Sequence, residues 1–392
     1  MSKPIAILSA KRTPIGSMLG DLSTVKSPQL GAAVIAAVKQ DSGLNSNRID
    51  EVIMGCVLSA GVGQAPARQA ALAAGCSLGT ACTTVNKVCG SGMNAVIIAC
   101  NTLRAEQSKC IIAGGMENMS LAPHLIPQAR QGQPLGSMKM LDHMQFDGLQ
   151  DPFTAVAMGE FAEQCATKYN FSREAQDAFA LESLRRAQKA IRSGLFKKEI
   201  TPVIVSSGKA KIEVEHDQQP LAAKPEKIPR LRPAFCKDGT VTAANASSIS
   251  DGAAALSLML VDQAKAENLK PIALIQGYDQ AAHEPEWFTT APVTAIEKTL
   301  ERVGWSIEEV DLWEINEAFA VVTLAAMHEL NISHNKVNIN GGACALGHPI
   351  GASGARIIVS LINALHQTGG KKGVASLCIG GGEATAVALE LV

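Results

Sequence analysis

Apolar positions along the chain recur with two periods, and the breaks between them are mostly glycine. In the first 120 residues the pattern alternates between short runs and helical spacing. A run at 5–9 predicts a strand. Helical spacing over 27–40, opened by Ser27-Pro28, predicts a helix with an N-cap and an early proline. A strand follows at 51–58 and an Ala-rich helix at 67–74. The β-branched segment ending in Asn86-Lys87-Val88 then runs into Cys89-Gly90-Ser91-Gly92, and apolar residues at Met93, Val96, Ile97, Cys100 and Leu103 predict a buried helix. A buried strand at 109–113 closes on Gly114-Gly115-Met116-Glu117-Asn118.

The rhythm stops near residue 121, where Pro, Gln, Met and charged residues rise. One strong helix stands out at 172–193, with Ser172 as N-cap, acidic residues early and basic residues late, as a helix dipole favours. The remainder of 121–250 reads as a loop-rich insertion. Small residues return near 240–252 and a strand is predicted at 253–260. From about Pro271 a second series begins: helices over 292–303 and 315–330 with a strand at 311–314 between them. It continues with a helix over 355–366, a strand at 372–377 and a last strand at 385–392. The division expected is therefore a first half of 1–120 and 251–270, a loop domain of 121–250, and a second half of 271–392.

The halves repeat. Cys89-Gly-Ser-Gly-Met-Asn-Ala-Val-Ile-Ile parallels Gly351-Ala-Ser-Gly-Ala-Arg-Ile-Ile. Each predicted helix leads to a strand that closes on glycines, Ile111-Ile-Ala-Gly-Gly115 and Leu377-Cys-Ile-Gly-Gly381. The segment at 49–55 also weakly echoes 310–316. Two α/β halves related by pseudo-symmetry are expected, with ligands gathering at the carboxyl ends of strands.

Composition narrows the class. With 392 residues the chain is too long for one simple core. Its 47% hydrophobic content, 34 glycines and 4% aromatic residues suit a close-packed α/β protein. No apolar run approaches the ~18 residues of a membrane span, and neither end carries a secretory or peroxisomal signal. Ten cysteines with no C-x-x-C spacing argue for reduced thiols in a cytoplasmic setting, against a disulfide framework or a zinc site. Net charge is −1, yet between Arg185 and Lys237 13 Lys and Arg face 5 Asp and Glu. That basic stretch suits a small polyanion bearing a nucleotide, or simply a solvated surface. It lacks the aromatic interleaving and motifs of a nucleic-acid binder.

Four polar groups sit in glycine-rich breaks: Cys89, Asn316 after a strand, His348 in Gly-His-Pro, and Cys378 before three glycines. Each alone has a structural reading, as core filler, helix cap or turn. Together at matching ends of two repeats they make a chemical set. A thiolate nucleophile needs an imidazole to take its proton. A second thiol suits proton transfer at carbon, and glycine N–H groups suit an oxyanion hole. A thiol at a helix N-terminus is also expected to be held toward its thiolate form.

Asn86-Lys-Val-Cys-Gly-Ser-Gly-Met, Asn316-Glu-Ala-Phe, Gly347-His-Pro-Ile-Gly-Ala-Ser-Gly and Cys378-Ile-Gly-Gly-Gly, in this order along the whole chain, resemble the thiolase family, and within it the short-chain acetyl-CoA acetyltransferases. The resemblance implies two five-stranded halves stacked as α-β-α-β-α, with an inserted loop domain that binds coenzyme A. It implies that Cys89 is acylated by acetyl-CoA, that His348 takes the Cys89 proton, and that Cys378 removes the α-proton of a second acetyl-CoA to give acetoacetyl-CoA. Asn316 would hold a water that, with His348, stabilises the thioester enolate. The N–H groups of Cys89 and Gly380 would form the oxyanion hole. Ser247, Ala243, Phe235, Leu149 and Met158 would line the coenzyme A path, and Phe288 and Phe319 would wall the acyl pocket. Coenzyme A and acyl-CoA would be substrates, with no metal or other cofactor, and the assembly a homotetramer built as a dimer of dimers.

Three departures bear on specificity. Ala157-Met158-Gly159 stands where many short-chain members have His-Met-Gly. Pro220 stands near where some carry a basic residue for coenzyme A, a role Lys224 or Lys227 would take. Phe179 replaces the tyrosine of potassium-dependent members, so no potassium site is expected. The alternatives are a broader 3-ketoacyl-CoA thiolase of fatty-acid β-oxidation, a decarboxylating condensing enzyme, which would not use Cys378, and a non-catalytic acyl-CoA-binding protein.

Overall fold

A computed structural model describes residues 3–207 and 210–392. The first series of elements comprises β1 (Ile5–Arg12), α1 (Ser27–Asp41), β2 (Glu51–Gly55), α2 (Pro66–Ala73), β3 (Ala81–Val85), α3 (Ser91–Arg104), β4 (Cys110–Asn118) and, after a long interruption, β5 (Ser250–Leu260). Within the interruption lie α4 (Met158–Tyr169) and α5 (Arg173–Arg192). The second series comprises β6 (Ala273–Ala282), α6 (Ala291–Val303), β7 (Leu312–Ile315), α7 (Ala320–Glu329), α8 (Ile350–Thr368), β8 (Lys372–Ile379) and β9 (Glu383–Leu391).

The repeat is a structural one. β2 runs parallel to β3 and β4, while β4 pairs antiparallel with β5, which pairs with β1. In the second half β7 runs parallel to β8, β8 pairs antiparallel with β9, and β9 pairs with β6. A bridge between Trp313 and Val337 stands where the fifth strand would be. Of the two five-stranded halves expected, the first has its five strands and the second has four beside that bridge. The two halves join edge to edge. Ile5, Ala6 and Ile7 of β1 pair with Ile275, Leu274 and Ala273 of β6, giving one sheet in the order β7-β8-β9-β6-β1-β5-β4-β2-β3.

The layers follow from where apolar side chains go. α1 and α2 cover the outer face of the first half through Leu30, Val34, Val38 and Ala70. α6 and α7 cover the outer face of the second through Ile296, Leu300 and Ala326. α3 and α8 lie between, sharing one core with strands of both halves. Every residue of α8 from Ile350 to Leu365 is buried, the signature of a helix enclosed on all sides. This is the α-β-α-β-α arrangement.

Two readings of individual elements are corrected. β6 was not anticipated, because its apolar residues alternate with polar ones across Gly277. The helix expected over 315–330 begins only at Ala320. Ile315 ends β7, and 316–319 form a loop whose main chain pairs elsewhere: Ser247 N donates to Ala318 O at 2.9 Å and Ala320 N to Asn245 O at 2.7 Å. Among the described residues, no helix is long and apolar enough to cross a membrane.

Candidate active site

The site exists because α3 and α8 meet through glycine. A Cβ on Gly92 would lie 2.9 Å from Ala355 N, and one on Gly354 2.5 Å from Met93 N. A Cβ on Gly115 would overlap the Gly351 carbonyl oxygen, and one on Gly55 would lie 2.7 Å from it. Only residues without a side chain permit this approach. It places the N-terminal ends of both inner helices side by side, with Cys89 before one and His348 before the other.

Each end is fixed locally. Val88 takes φ +46°, a left-handed conformation costly for a β-branched residue. Ser91 holds this elbow, accepting from Lys87 N at 2.8 Å and donating to Val88 O at 2.6 Å. Lys87 also forms an ion pair with Glu383 beyond the glycine turn of the other half. At the second helix, His348 N donates to Ser248 O at 3.1 Å. Its Nδ1 lies 2.6 Å from Ser353 Oγ, which itself donates to Pro349 O at 2.9 Å. The serine's one proton is thereby used, so Oγ accepts from Nδ1–H. The imidazole is left with a lone pair on Nε2, a buried atom with no protein partner.

A cavity of about 520 Å³ opens over these residues. Cys89, His348, Cys378 and Gly380 line it, as do Ser247, Ala243, Phe235, Leu149, Met158, Phe288 and Phe319. All of the site residues singled out in the sequence therefore converge there except Asn316. That residue is buried behind the lining, its Oδ1 accepting from Arg356 Nη2 at 3.2 Å and its Nδ2 unpartnered. Phe319 is the centre of an aromatic wall, edge-on to Phe235 at 5.9 Å and to Phe288 at 6.3 Å between centroids. Gly159 lets the Phe235 ring lie against the start of α4, where a Cβ would strike it. Ala243 also lines a second cavity of about 350 Å³ with Lys224, Lys227 and Leu231.

The electrostatics correct one expectation. The Cys89 thiol is not held toward thiolate. Burial pushes it up to about 11, against the opposing pull of hydrogen bonds from the N–H groups of Gly380 and of Cys89 itself. The thiol form thus dominates at pH 7, and a base is required. Burial, seconded by the Arg356 charge, pushes His348 down to about 3, so the imidazole is neutral and able to accept. Cys378, 1% exposed, is raised well above the thiol range by burial and then by the neighbouring Cys89 charge. Both sulfurs face the same cavity floor.

Several supporting residues were not singled out from sequence. The Glu117 carboxylate accepts from Val57 N, Leu58 N and Gly351 N at 2.9–3.1 Å, tying the glycine crossing together, and burial raises it to about 7. Glu317 anchors the 316–319 loop, accepting from Ser183 Oγ, Cys344 N and Asn338 Nδ2. The available signal was a charge inside an apolar run, at Glu117 and Arg356, which is rare in a buried element without a partner. Among the described residues no cluster of three or more His, Cys, Asp or Glu could hold a metal.

A half-buried sulfur, a neutral imidazole and donors aimed at that sulfur are the parts of an acyl-transfer site. The comparisons agree. Residues 5–262 match the model of the thiolase N-terminal domain and 269–391 that of the thiolase C-terminal domain. An acetyl-CoA acetyltransferase of Chromobacterium violaceum is 47% identical over 98% of this chain and 99% of its own. One of Saccharomyces cerevisiae is 45% identical over the full length of both. The crystal structure of the Bacillus anthracis acetyl-CoA acetyltransferase superposes with a TM-score of 0.97 at 41% identity, over 100% of this chain and 99% of the other. That of the Ascaris suum Acat5 thiolase in complex with coenzyme A gives 0.94 at 43% identity over all of both chains. The protein is by class an acyltransferase. It belongs to the thiolase family.

Proposed function

We propose that this thiolase catalyses the reversible Claisen condensation of two acetyl-CoA to acetoacetyl-CoA and CoA, through an acetyl-Cys89 intermediate. His348 Nε2 takes the Cys89 proton as the sulfur attacks the first thioester. The departing CoA sulfur takes the Cys378 proton, leaving Cys378 as thiolate. Cys378 then removes an α-proton from a second acetyl-CoA. The enolate carbon attacks the acetyl group, and the released Cys89 sulfur regains its proton from His348. Protons balance over the cycle. The N–H groups of Gly380 and Cys89 hold the oxyanion formed on the acetyl-enzyme, each such donor contributing ~3 kcal/mol. Asn316, through a water shared with His348, would stabilise the enolate oxygen.

The observation that carries this reading is the common floor: Cys89, His348, Cys378 and Gly380 line one cavity. Loop-region residues would hold coenzyme A, its pantetheine arm passing Ser247, Ala243, Phe235, Leu149 and Met158. Its phosphates would lie toward Lys224 and Lys227 in the adjoining cavity. The reading is completed by a homotetramer acting in acyl-CoA metabolism, in a cytoplasmic setting that the ten free cysteines suit.

The test is incubation with labelled acetyl-CoA and peptide mapping. Label on Cys89, retained by Cys378→Ala without acetoacetyl-CoA formation, is expected. Label elsewhere overturns the assignment. Thiolysis rates over a series of 3-ketoacyl-CoA chain lengths separate the short-chain enzyme from a broader β-oxidation thiolase, which would turn over long chains as well as acetoacetyl-CoA.

A further inference from the structure

Arg356 is hydrogen-bonded to the Asn316 side chain, and no step above uses it. It lies in the second turn of α8, 2% exposed, and is the one charged residue among the buried positions 350–365 of that helix. A charge in that position calls for an explanation. Its Nη2 donates to Asn316 Oδ1 at 3.2 Å, and its Nη1 lies 3.5 Å from Glu314 Oε2 on β7. A guanidinium only donates, so it can hold an asparagine by the oxygen end alone. The Asn316 NH₂ must then point away from Arg356, and it is the end with no protein partner.

We propose that Arg356 is a positioning residue for the condensation, fixing the Asn316 amide so that its NH₂ group, not its oxygen, is presented toward the reacting thioester. The inference rests on the functional reading above, in which Asn316 acts as a donor through water. An amide free to flip would present its oxygen part of the time, and an acceptor there repels a developing enolate oxygen. The same guanidinium acts on the base: its charge disfavours a proton on His348. The titratable groups around it are Glu314 on β7, Glu317 in the following loop, Glu199 after α5, Arg12 on β1 and the neutral His348. Glu199 is linked back to α8 through Ser360 Oγ at 3.4 Å.

The test is a mutant cycle on the full-length enzyme. Arg356→Met is paired with Glu314→Gln so that no unpartnered carboxylate is left buried. Asn316→Ala is the reference, and the triple variant closes the cycle. Asn316→Ala and the Arg356→Met/Glu314→Gln pair are each expected to lose about 100-fold in kcat, the cost typical of a misplaced catalytic group, with KM for CoA within about twofold. The triple variant is expected to be no slower than Asn316→Ala alone, because two changes on one path do not add. Arg356→Lys, which keeps the charge, should recover part of kcat. The acidic limb of the kcat profile should move to higher pH in the pair and stay in place in Arg356→Lys.

A pair with near wild-type kcat beside an impaired Asn316→Ala overturns the positioning role and leaves the functional reading standing. Losses that add fully in the triple variant overturn it too, since they show action independent of Asn316. Near wild-type kcat in Asn316→Ala removes Asn316 from the functional reading, and the positioning role with it. Should the pair fail to fold, the cycle of Arg356→Lys against Asn316→Ala decides by the same rule of additivity.

Discussion

The two halves share a topology and differ at one corner. In the second half β8 and β9 form a closed hairpin, Ile379 pairing with Glu383 across three glycines, and the turn supplies the Gly380 N–H to the Cys89 sulfur. In the first half the corresponding strands β4 and β5 pair as fully, from Cys110 with Met259 to Asn118 with Asp251. There the turn has been replaced by residues 119–249, which contribute Leu149, Met158, Phe235, Ala243 and Ser247 to the cavity wall. In the proposed reaction the tight copy of the hairpin would point an amide at the chemistry, and the opened copy would carry the surface on which a long substrate lies. On that reading a duplicated scaffold separates reactivity from substrate handling.

The sharpest test of the tight side is Cys89→Ala, which should lower thiolysis by ~10³-fold or more while leaving thermal unfolding unchanged. Residual rates near wild type would remove Cys89 as nucleophile. Gly115→Ala strikes the crossing that brings the halves together. Its Cβ would overlap the Gly351 backbone, so a loss of about 3 kcal/mol in denaturant unfolding is expected, with activity falling in parallel. Ser353→Ala leaves His348 present but unheld. A fall of about 10- to 100-fold in kcat is expected with little change in KM. Gly381→Ala meets no atom, yet its φ of +91° strains any side chain, at about 1–2 kcal/mol. On the open side, Lys227→Ala should raise KM for CoA about threefold, less so at high salt, with kcat unchanged. If Lys227→Ala alters kcat instead, the division of labour between the two corners is wrong.

How much of this could be read beforehand depended on the range of the interactions. Strands and inner helices were legible because burial imposes its period on apolar residues, and the cavity residues because their motifs sit at strand ends. The start of α7 was not, because Ala318 and Ala320 exchange main-chain bonds with 245–247, a partner about seventy residues away. β6 was hidden by its half-exposed alternation. The Cys89 ionisation was misjudged because helix position is visible in sequence and depth of burial is not. Glu117, Ser353 and Arg356 lay within quoted motifs, but their roles are defined by partners that only folding brings near.

The order in which the sheet is assembled has a consequence for synthesis. β1 lies in the sheet between β5 and β6, and its last residue, Arg12, also bridges Ile200. Some 240 residues must therefore follow β1 out of the ribosome before the body of the strand finds a sheet neighbour, a wait of roughly ten to fifty seconds at ordinary translation speeds. During that interval Ile5-Ala-Ile-Leu is an exposed, uncharged, aggregation-prone tag on the nascent chain. Chaperone cover over that interval is the outcome such a strand order favours.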